Sequence, residues 1–409
     1  MNLIDLFYKL SSLTVFRGFH ESKLWEAFVS IAQVEDPDSQ GESWLQSFLL
    51  NCYGEFCGEV LKSGGNISSL IKDYVLGSED LPFAELSSDN SSVLRSAINF
   101  DLEALQELSE LTSAELKDFL FKVGRFDKED TILESLPKWD TSSMDLKSEF
   151  FDMLNSIGTG GYGIFRKNIM FKIKDGKLKP IENADYQDED TLYGYERERS
   201  LIMKNTEAFA KGLPASNVLL YGDAGTGKST SAKTCSAAYS AHGVRLIEFT
   251  KEQVTLIPEI AEELSKSPLK FIFFIDDLTF NEDDSDFYAL KGILEGNVSG
   301  TGSNILIYAT SNRRHLIKES SASRHGDDLH LNDTLQEVMS LASRFGLTIT
   351  FSKPAKDLYI SIVKGLAKEY GLEVTDDLIT RAEAFAIRAN GRSPRTAKQF
   401  IILASNDLQ

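Results

Sequence analysis

The chain has 409 residues, 42% hydrophobic and 26% charged, the proportions of a globular protein long enough for two or three domains. No uncharged run approaches the roughly 20 apolar residues needed to span a bilayer, so no membrane partner is expected. The net charge of −19 is uneven: residues 1–190 hold 18 Lys and Arg against 34 Asp and Glu, a balance that should repel bare nucleic acid.

The opening segment MNLIDLFYKLSSLTVF carries Asp5 and neither a basic leader nor a small-residue cleavage site. No signal peptide is expected, and the cytoplasm is the expected location. Cys52, Cys57 and Cys235 lack CxxC spacing and read as buried thiols. His315, His325 and His330 match no common zinc spacing and read as polar loop residues.

Residues 1–156 read as a helical domain suited to recognising a partner. Its clearest pattern runs from Leu102 through Leu105, Leu108 and Leu111 to Leu116, Phe119 and Leu120. Thr112-Ser-Ala-Glu115 within it has the form of a capping box, which divides the run into two helices. Breaks are expected at Asp36-Pro37-Asp38, Ser63-Gly64-Gly65-Asn66 and Ser87-Ser88-Asp89-Asn90. Residues 157–190 read as a β-hairpin, turning at Asp175-Gly176, followed by a solvated acidic linker over Asp185–Asp190. Gly158-Thr-Gly160-Gly-Tyr-Gly163 formally matches GxGxxG, but it follows a helix and precedes a hairpin, the wrong setting for a dinucleotide site.

From Leu192 onward strands and helices alternate. Strands are expected at 218–221, 245–249, 271–275, 304–309 and 347–351, the pattern of a parallel sheet covered by helices. Residues 191–353 thus form an α/β domain, and 354–409, with helices near 356–370, 375–390 and 393–404, a helical lid.

Gly222-Asp223-Ala224-Gly225-Thr226-Gly227-Lys228-Ser229, followed by Thr230, satisfies GxxxxGK[ST] in full between a strand and a helix. Such a loop points backbone N–H groups at phosphates. Lys228 would neutralise β- and γ-phosphate charge, and Ser229 would ligate Mg²⁺. The run FIFFI, ending in Asp276 and Asp277, reads as a buried strand with two carboxylates at its ligand-binding end. Asp276 is the candidate to hold Mg²⁺ through water, and Asp277 to orient or deprotonate the attacking water.

On these residues the segment 190–409 resembles the AAA+ ATPase superfamily. The resemblance implies that Tyr193-Gly194-Tyr195-Glu196 lies against adenine. Asn312, at the end of the fourth strand, falls at sensor 1, and Arg344 in Leu341-Ala-Ser-Arg344-Phe345-Gly346 falls at the arginine finger. Arg395 in Gly391-Arg-Ser-Pro-Arg395 falls at sensor 2, with Arg392 close enough to substitute. Singly, each has a bland reading as a turn residue or solvated charge; their order along the chain gives them weight. The strings NVLLYGDAGTGKS, FIFFIDDLTF, YATSNRRHLIKE and RFGLTITF are similar to an uncharacterised bacterial AAA+ family defined as a domain of unknown function.

The resemblance implies an ATP- and Mg²⁺-dependent ATPase, a homo-oligomer (ring or filament) that remodels or loads a protein or nucleic-acid client. Asp-Asp, where many members carry Asp-Glu, is similar to replication initiators and helicase loaders, and keeps a slow ATP-controlled switch as the alternative. Arg313, Arg314, Lys318 and Arg324 read as a solvated face or a contact between subunits.

Overall fold

Apolar side chains fall into two separate cores in the computed structural model, which describes residues 2–34, 41–78, 81, 92–127, 131–278, 285–294, 303–312, 343–389 and 391–406. One unit is Met1–Ile157 with Tyr162–Arg166; the other is Gly158–Gly161 with Lys167–Gln409. The turns expected at 36–38 and 87–90, the three histidines from 315 to 330 and the four basic residues from 313 to 324 lie outside the described residues.

The first unit is helical. Its longer helices are α1 (Leu3–Ser11), α2 (Lys23–Ala32), α3 (Glu42–Lys62), α4 (Ile67–Leu76), α5 (Ser92–Ser109), α6 (Ser113–Val123) and α7 (Leu146–Asn155). Each presents an apolar stripe to a common core that includes Leu6, Leu49, Phe56, Leu105 and Phe150. The break at Thr112 is the expected capping box: Thr112 Oγ1 accepts from the Glu115 N–H at 3.2 Å, and Glu115 accepts from the Thr112 N–H at 3.0 Å. Asp101 of α5 is fully buried because it serves the chain after α1, accepting from the N–H groups of Thr14, Val15 and Phe16 at 2.9, 2.7 and 3.0 Å. Cys52 and Cys57 are free buried thiols on α3, and burial raises both above the ordinary thiol value.

The second unit is built on one sheet of β1 (Met170–Lys174), β2 (Lys177–Pro180), β3 (Val218–Gly222), β4 (Val244–Phe249), β5 (Lys270–Ile275), β6 (Ile305–Ser311) and β7 (Leu347–Phe351). Their spatial order is β2-β1-β4-β5-β6-β3-β7, and every neighbouring pair is parallel except β1–β2. The inner strands β5 and β6 read as unbroken apolar runs because helices cover both faces. The hairpin is therefore an extension of the sheet, with Met170, Phe171 and Lys172 in register with Leu246, Ile247 and Glu248. Its turn has positive φ at Asp175 (53°) and Gly176 (72°), the backbone of a type I′ turn.

Helices α8 (Glu196–Ala210), α9 (Lys228–Ala238), α10 (Ile257–Ser265) and α11 (Ser285–Leu294) accompany the sheet, and α12 (Lys356–Glu369), α13 (Asp376–Arg388) and α14 (Pro394–Ser405) form the lid. Tyr359, Val363, Ala382, Phe400 and Ile401 are among the residues these three helices add to the core. Among the described residues no helix is long and apolar enough to cross a membrane.

Candidate nucleotide site

The glycine loop begins where β3 runs out against β7. At Gly222 φ is 139°, and a Cβ would stand 2.1 Å from the Phe351 carbonyl oxygen, so no other residue fits. The loop is pinned from within and from β7's exit: Thr226 Oγ1 donates to the Asp223 carbonyl at 2.8 Å, and Asp223 Oδ2 accepts from the Lys353 N–H at 2.8 Å. Gly227, at φ 88°, then starts α9, whose first N–H groups have no partner within the helix.

Lys228 is 5% exposed, and its Nζ donates to the carbonyls of Gly222 (2.9 Å) and Asp223 (2.8 Å) and to Asn312 Oδ1 (2.8 Å). Burial pushes its pKa below the ordinary lysine value, opposed by the carboxylates of Asp277, Asp223 and Asp276.

At the end of β5, Asp276 Oδ1 accepts from Ser229 Oγ at 2.6 Å and from Thr310 Oγ1, also at 2.6 Å. Thr310 Oγ1 accepts in turn from the Asp277 N–H at 2.9 Å. Asp277 sits at φ 51°, a left-handed turn that Asp tolerates, and its Oδ1 accepts from Asn312 Nδ2 at 2.7 Å. The Asn312 amide thus bridges the lysine of one strand exit to the second carboxylate of another.

Two cavities open onto these groups. The first, about 460 Å³, is lined by Lys228, Ser229, Asp276, Asp277, Asn312 and Arg395 among others. The second, about 280 Å³, has an apolar wall of Leu192, Tyr193, Ile362 and Leu366. Tyr193 lies so close over Gly365 of α12 that a Cβ there would meet its ring at 2.2 Å. Gly194, at φ 79°, turns the chain into α8, with its N–H donating to Glu196 Oε1 at 2.8 Å. Tyr195 faces the core instead, against Phe351, its hydroxyl donating to the Ser352 carbonyl at 2.6 Å.

The two lid arginines have different placements. Arg392 is held by Glu383, Nε to Oε1 at 3.0 Å and an Nη to Oε2 at 2.7 Å, whereas Arg395 lines both cavities. The Arg395 N–H also donates to the Gly225 carbonyl at 3.3 Å, tying the start of α14 to the glycine loop. Lys228, Ser229, Asp276, Asp277, Asn312 and Arg395 are brought together. Arg344 is not: it precedes β7, in register with the start of β3, at the end of the sheet away from the loop.

Two participants carried no signal as separate residues. Thr310 is 1% exposed and joins the Asp276 carboxylate to the backbone N–H of Asp277, but a threonine inside an apolar strand reads as ordinary core. The run expected to be a solvated linker is exposed, yet it is fastened to α9 by the Gln187 N–H to Thr234 Oγ1 (3.2 Å), and Asp185 lines both cavities. Composition cannot reveal that an acidic segment is laid against a site.

The donors fit a magnesium ion: Ser229 Oγ and Asp276 are hard oxygens beside a phosphate-binding loop. Among the described residues no group of three or more His, Cys, Asp or Glu is gathered to hold a metal unaided, so a cation here would also need phosphate or water oxygens.

A glycine loop between a parallel strand and a helix, facing an acid pair two strands away beside a three-helix lid, defines a P-loop protein of the AAA+ type. More narrowly, the chain belongs to the family described as Protein of unknown function (DUF815), whose model matches residues 166–408. Similar solved structures include a RuvB of Thermotoga maritima (18% identity, 54% of this chain and 64% of that one, TM-score 0.37). Others are the Aeropyrum pernix ORC1 protein in complex with DNA (16%, 53% and 61%, 0.39) and the FIGL-1 AAA domain in complex with ADP (16%, 56% and 75%, 0.36). The chain spans under two thirds of the RuvB and ORC1 chains. No curated protein matches it in sequence.

Proposed function

We propose that this protein binds ATP with Mg²⁺ at the glycine loop and hydrolyses it at interfaces between copies of itself, coupling turnover to the remodelling or loading of a protein or nucleic-acid partner. One observation carries the reading. Ser229, Asp276, Thr310, Asp277, Asn312 and Lys228 form a continuous hydrogen-bonded circuit from the metal-binding hydroxyl to the phosphate-binding amine. Such an arrangement fixes charged groups before substrate arrives, the main device by which phosphoryl transfer is accelerated.

Within it Lys228 and the N–H groups of α9 bind phosphate, and Ser229 and Asp276 hold the cation. A cation held there would neutralise charge on the phosphate oxygens. Asp277 orients the attacking water, Asn312 holds Asp277 in place, and Arg395 reaches the γ-phosphate from the lid. Arg344 serves the site of a neighbouring copy, a role supported by its placement away from its own loop.

A second reading, an ATP-controlled switch or loader with little turnover, is favoured by Asp277 itself. Its carboxylate is short and already engaged by Asn312, which slows water activation. Steady-state hydrolysis measured against protein concentration, with mass by light scattering, separates the two. Specific activity rising as an assembly forms supports the ATPase; nucleotide-dependent assembly without turnover supports the switch. Lys228→Ala should abolish tight ATP binding, and undiminished affinity in that variant removes the site assignment.

A further inference from the structure

Asp185 stands where the two cavities meet. Among the described residues only Asp185, Gly225, Gly227, Thr230 and Arg395 line both. One cavity has the groups for phosphate and metal, and the other has an apolar wall that suits a flat base. Anything joining phosphates to a base must pass this waist, and in a nucleotide that part is the sugar.

Asp185 is a third carboxylate in a cavity already lined by Asp276 and Asp277. Beside a phosphate chain it is repelled, a cost that hydroxyl donors on the ligand would offset. Among the described residues Asp185 makes no salt bridge, and the nearby cavity-lining Lys233 is taken by Glu248 at 2.5 Å. The backbone around Asp185 is held at several points: the Ile181 N–H to the Met170 carbonyl (2.9 Å), the Tyr186 N–H to the Ala184 carbonyl (3.0 Å) and the Gln187 N–H to Thr234 Oγ1 (3.2 Å). The backbone on either side of Asp185 is thus tied to strand β1 and to helix α9, and its exposed side chain lines both cavities.

We propose that Asp185 is the ribose-binding residue of the site, accepting hydrogen bonds from the sugar's hydroxyl groups and so selecting ribonucleotides over deoxyribonucleotides. The assignment rests on the nucleotide reading of the glycine loop and deepens it. A vicinal diol offers two donors to the two oxygens of one carboxylate, which no phosphate oxygen can do. Acidic residues meet ribose hydroxyls in the same way in dinucleotide-binding folds.

The test is calorimetric titration of the full chain, in the presence of Mg²⁺, with ADP, 2′-deoxyADP and 3′-deoxyADP, ligands that need no turnover. The wild-type protein should bind ADP about 10-fold or more tightly than 2′-deoxyADP, the scale of a hydrogen bond to a charged acceptor, and 3′-deoxyADP should also bind more weakly than ADP. Asp185→Ala should bind all three alike, with the loss falling on ADP. A wild-type protein indifferent to the missing hydroxyls, or a variant that keeps the wild-type ratio, overturns the assignment while leaving the nucleotide site standing. A variant that binds all three more tightly by the same factor shows only charge repulsion and also overturns it. Failure of the wild type to bind ADP at all removes the nucleotide reading itself.

Discussion

Thr310 shows how much a single buried hydroxyl decides. Its Oγ1 donates to Asp276 and accepts from the Asp277 N–H, so it fixes the carboxylate that would hold the metal and the turn that aims the second carboxylate at Asn312. Thr310→Val keeps the shape and removes both bonds. The Asp277 N–H retains a contact to Asp276 Oδ1 at 3.1 Å, so the expected loss of stability is about 1 kcal/mol, at the low end for a buried polar group deprived of its partner. The functional loss should exceed the structural one: the Mg²⁺ concentration needed for tight ATP binding should rise several-fold, while metal-free binding changes little. Titrating ATP affinity against Mg²⁺ in both proteins checks this. An unchanged Mg²⁺ requirement would reduce Thr310 to a packing residue.

At the scale of elements, the hairpin carries a conflict that its fold does not require. Register places Lys172 opposite Lys179 and Lys174 opposite Lys177, four like charges on one face. None of the four makes an ion pair among the described residues, in a chain whose net charge is −19. Directly opposed like charges destabilise an antiparallel pair, and opposite charges stabilise it by roughly 0.2–1 kcal/mol. Lys177→Glu should therefore raise the denaturation midpoint, and high salt should shrink the gain because the pair is exposed. No gain at low salt would mean the hairpin's edge is governed by something other than these pairs. Lysines on β2 also guard an open sheet edge against pairing with other strands, which explains their presence there but not on β1, an inner strand.

For the whole molecule, what matters is that Arg344 lies at the end of the sheet opposite the glycine loop. The five residues of β7 put roughly 15 Å of strand between Arg344 and the phosphate end. On the proposed reading Arg344 acts on the site of the next copy. Arg344→Ala should leave ATP affinity within about twofold of wild type and lower hydrolysis by about 10³-fold, the usual contribution of a trans-acting arginine. Mixing it with Asp277→Asn subunits should restore part of the activity, since each variant then supplies what the other lacks. Absence of recovery at every ratio would rule out action between copies.

The elements of this protein were legible in its sequence wherever a local rule governs. GxxxxGK[ST] demands one backbone path whatever surrounds it, Asp175-Gly176 demands a type I′ turn, and Thr112 with Glu115 ends one helix and begins the next through bonds four residues apart at most. Unbroken apolar runs identified the strands that helices bury on both faces. What depends on residues distant in the chain was beyond sequence. The attachment of the hairpin to β4, the commitment of Arg392 to Glu383 while Arg395 lines the cavities, and the bridge from Lys228 through Asn312 to Asp277 all join segments that only folding brings within bonding distance. The acidic run at 185–190 is the clearest case. Its composition is that of a solvated linker, and only packing against α9 sets Asp185 at the waist of the site.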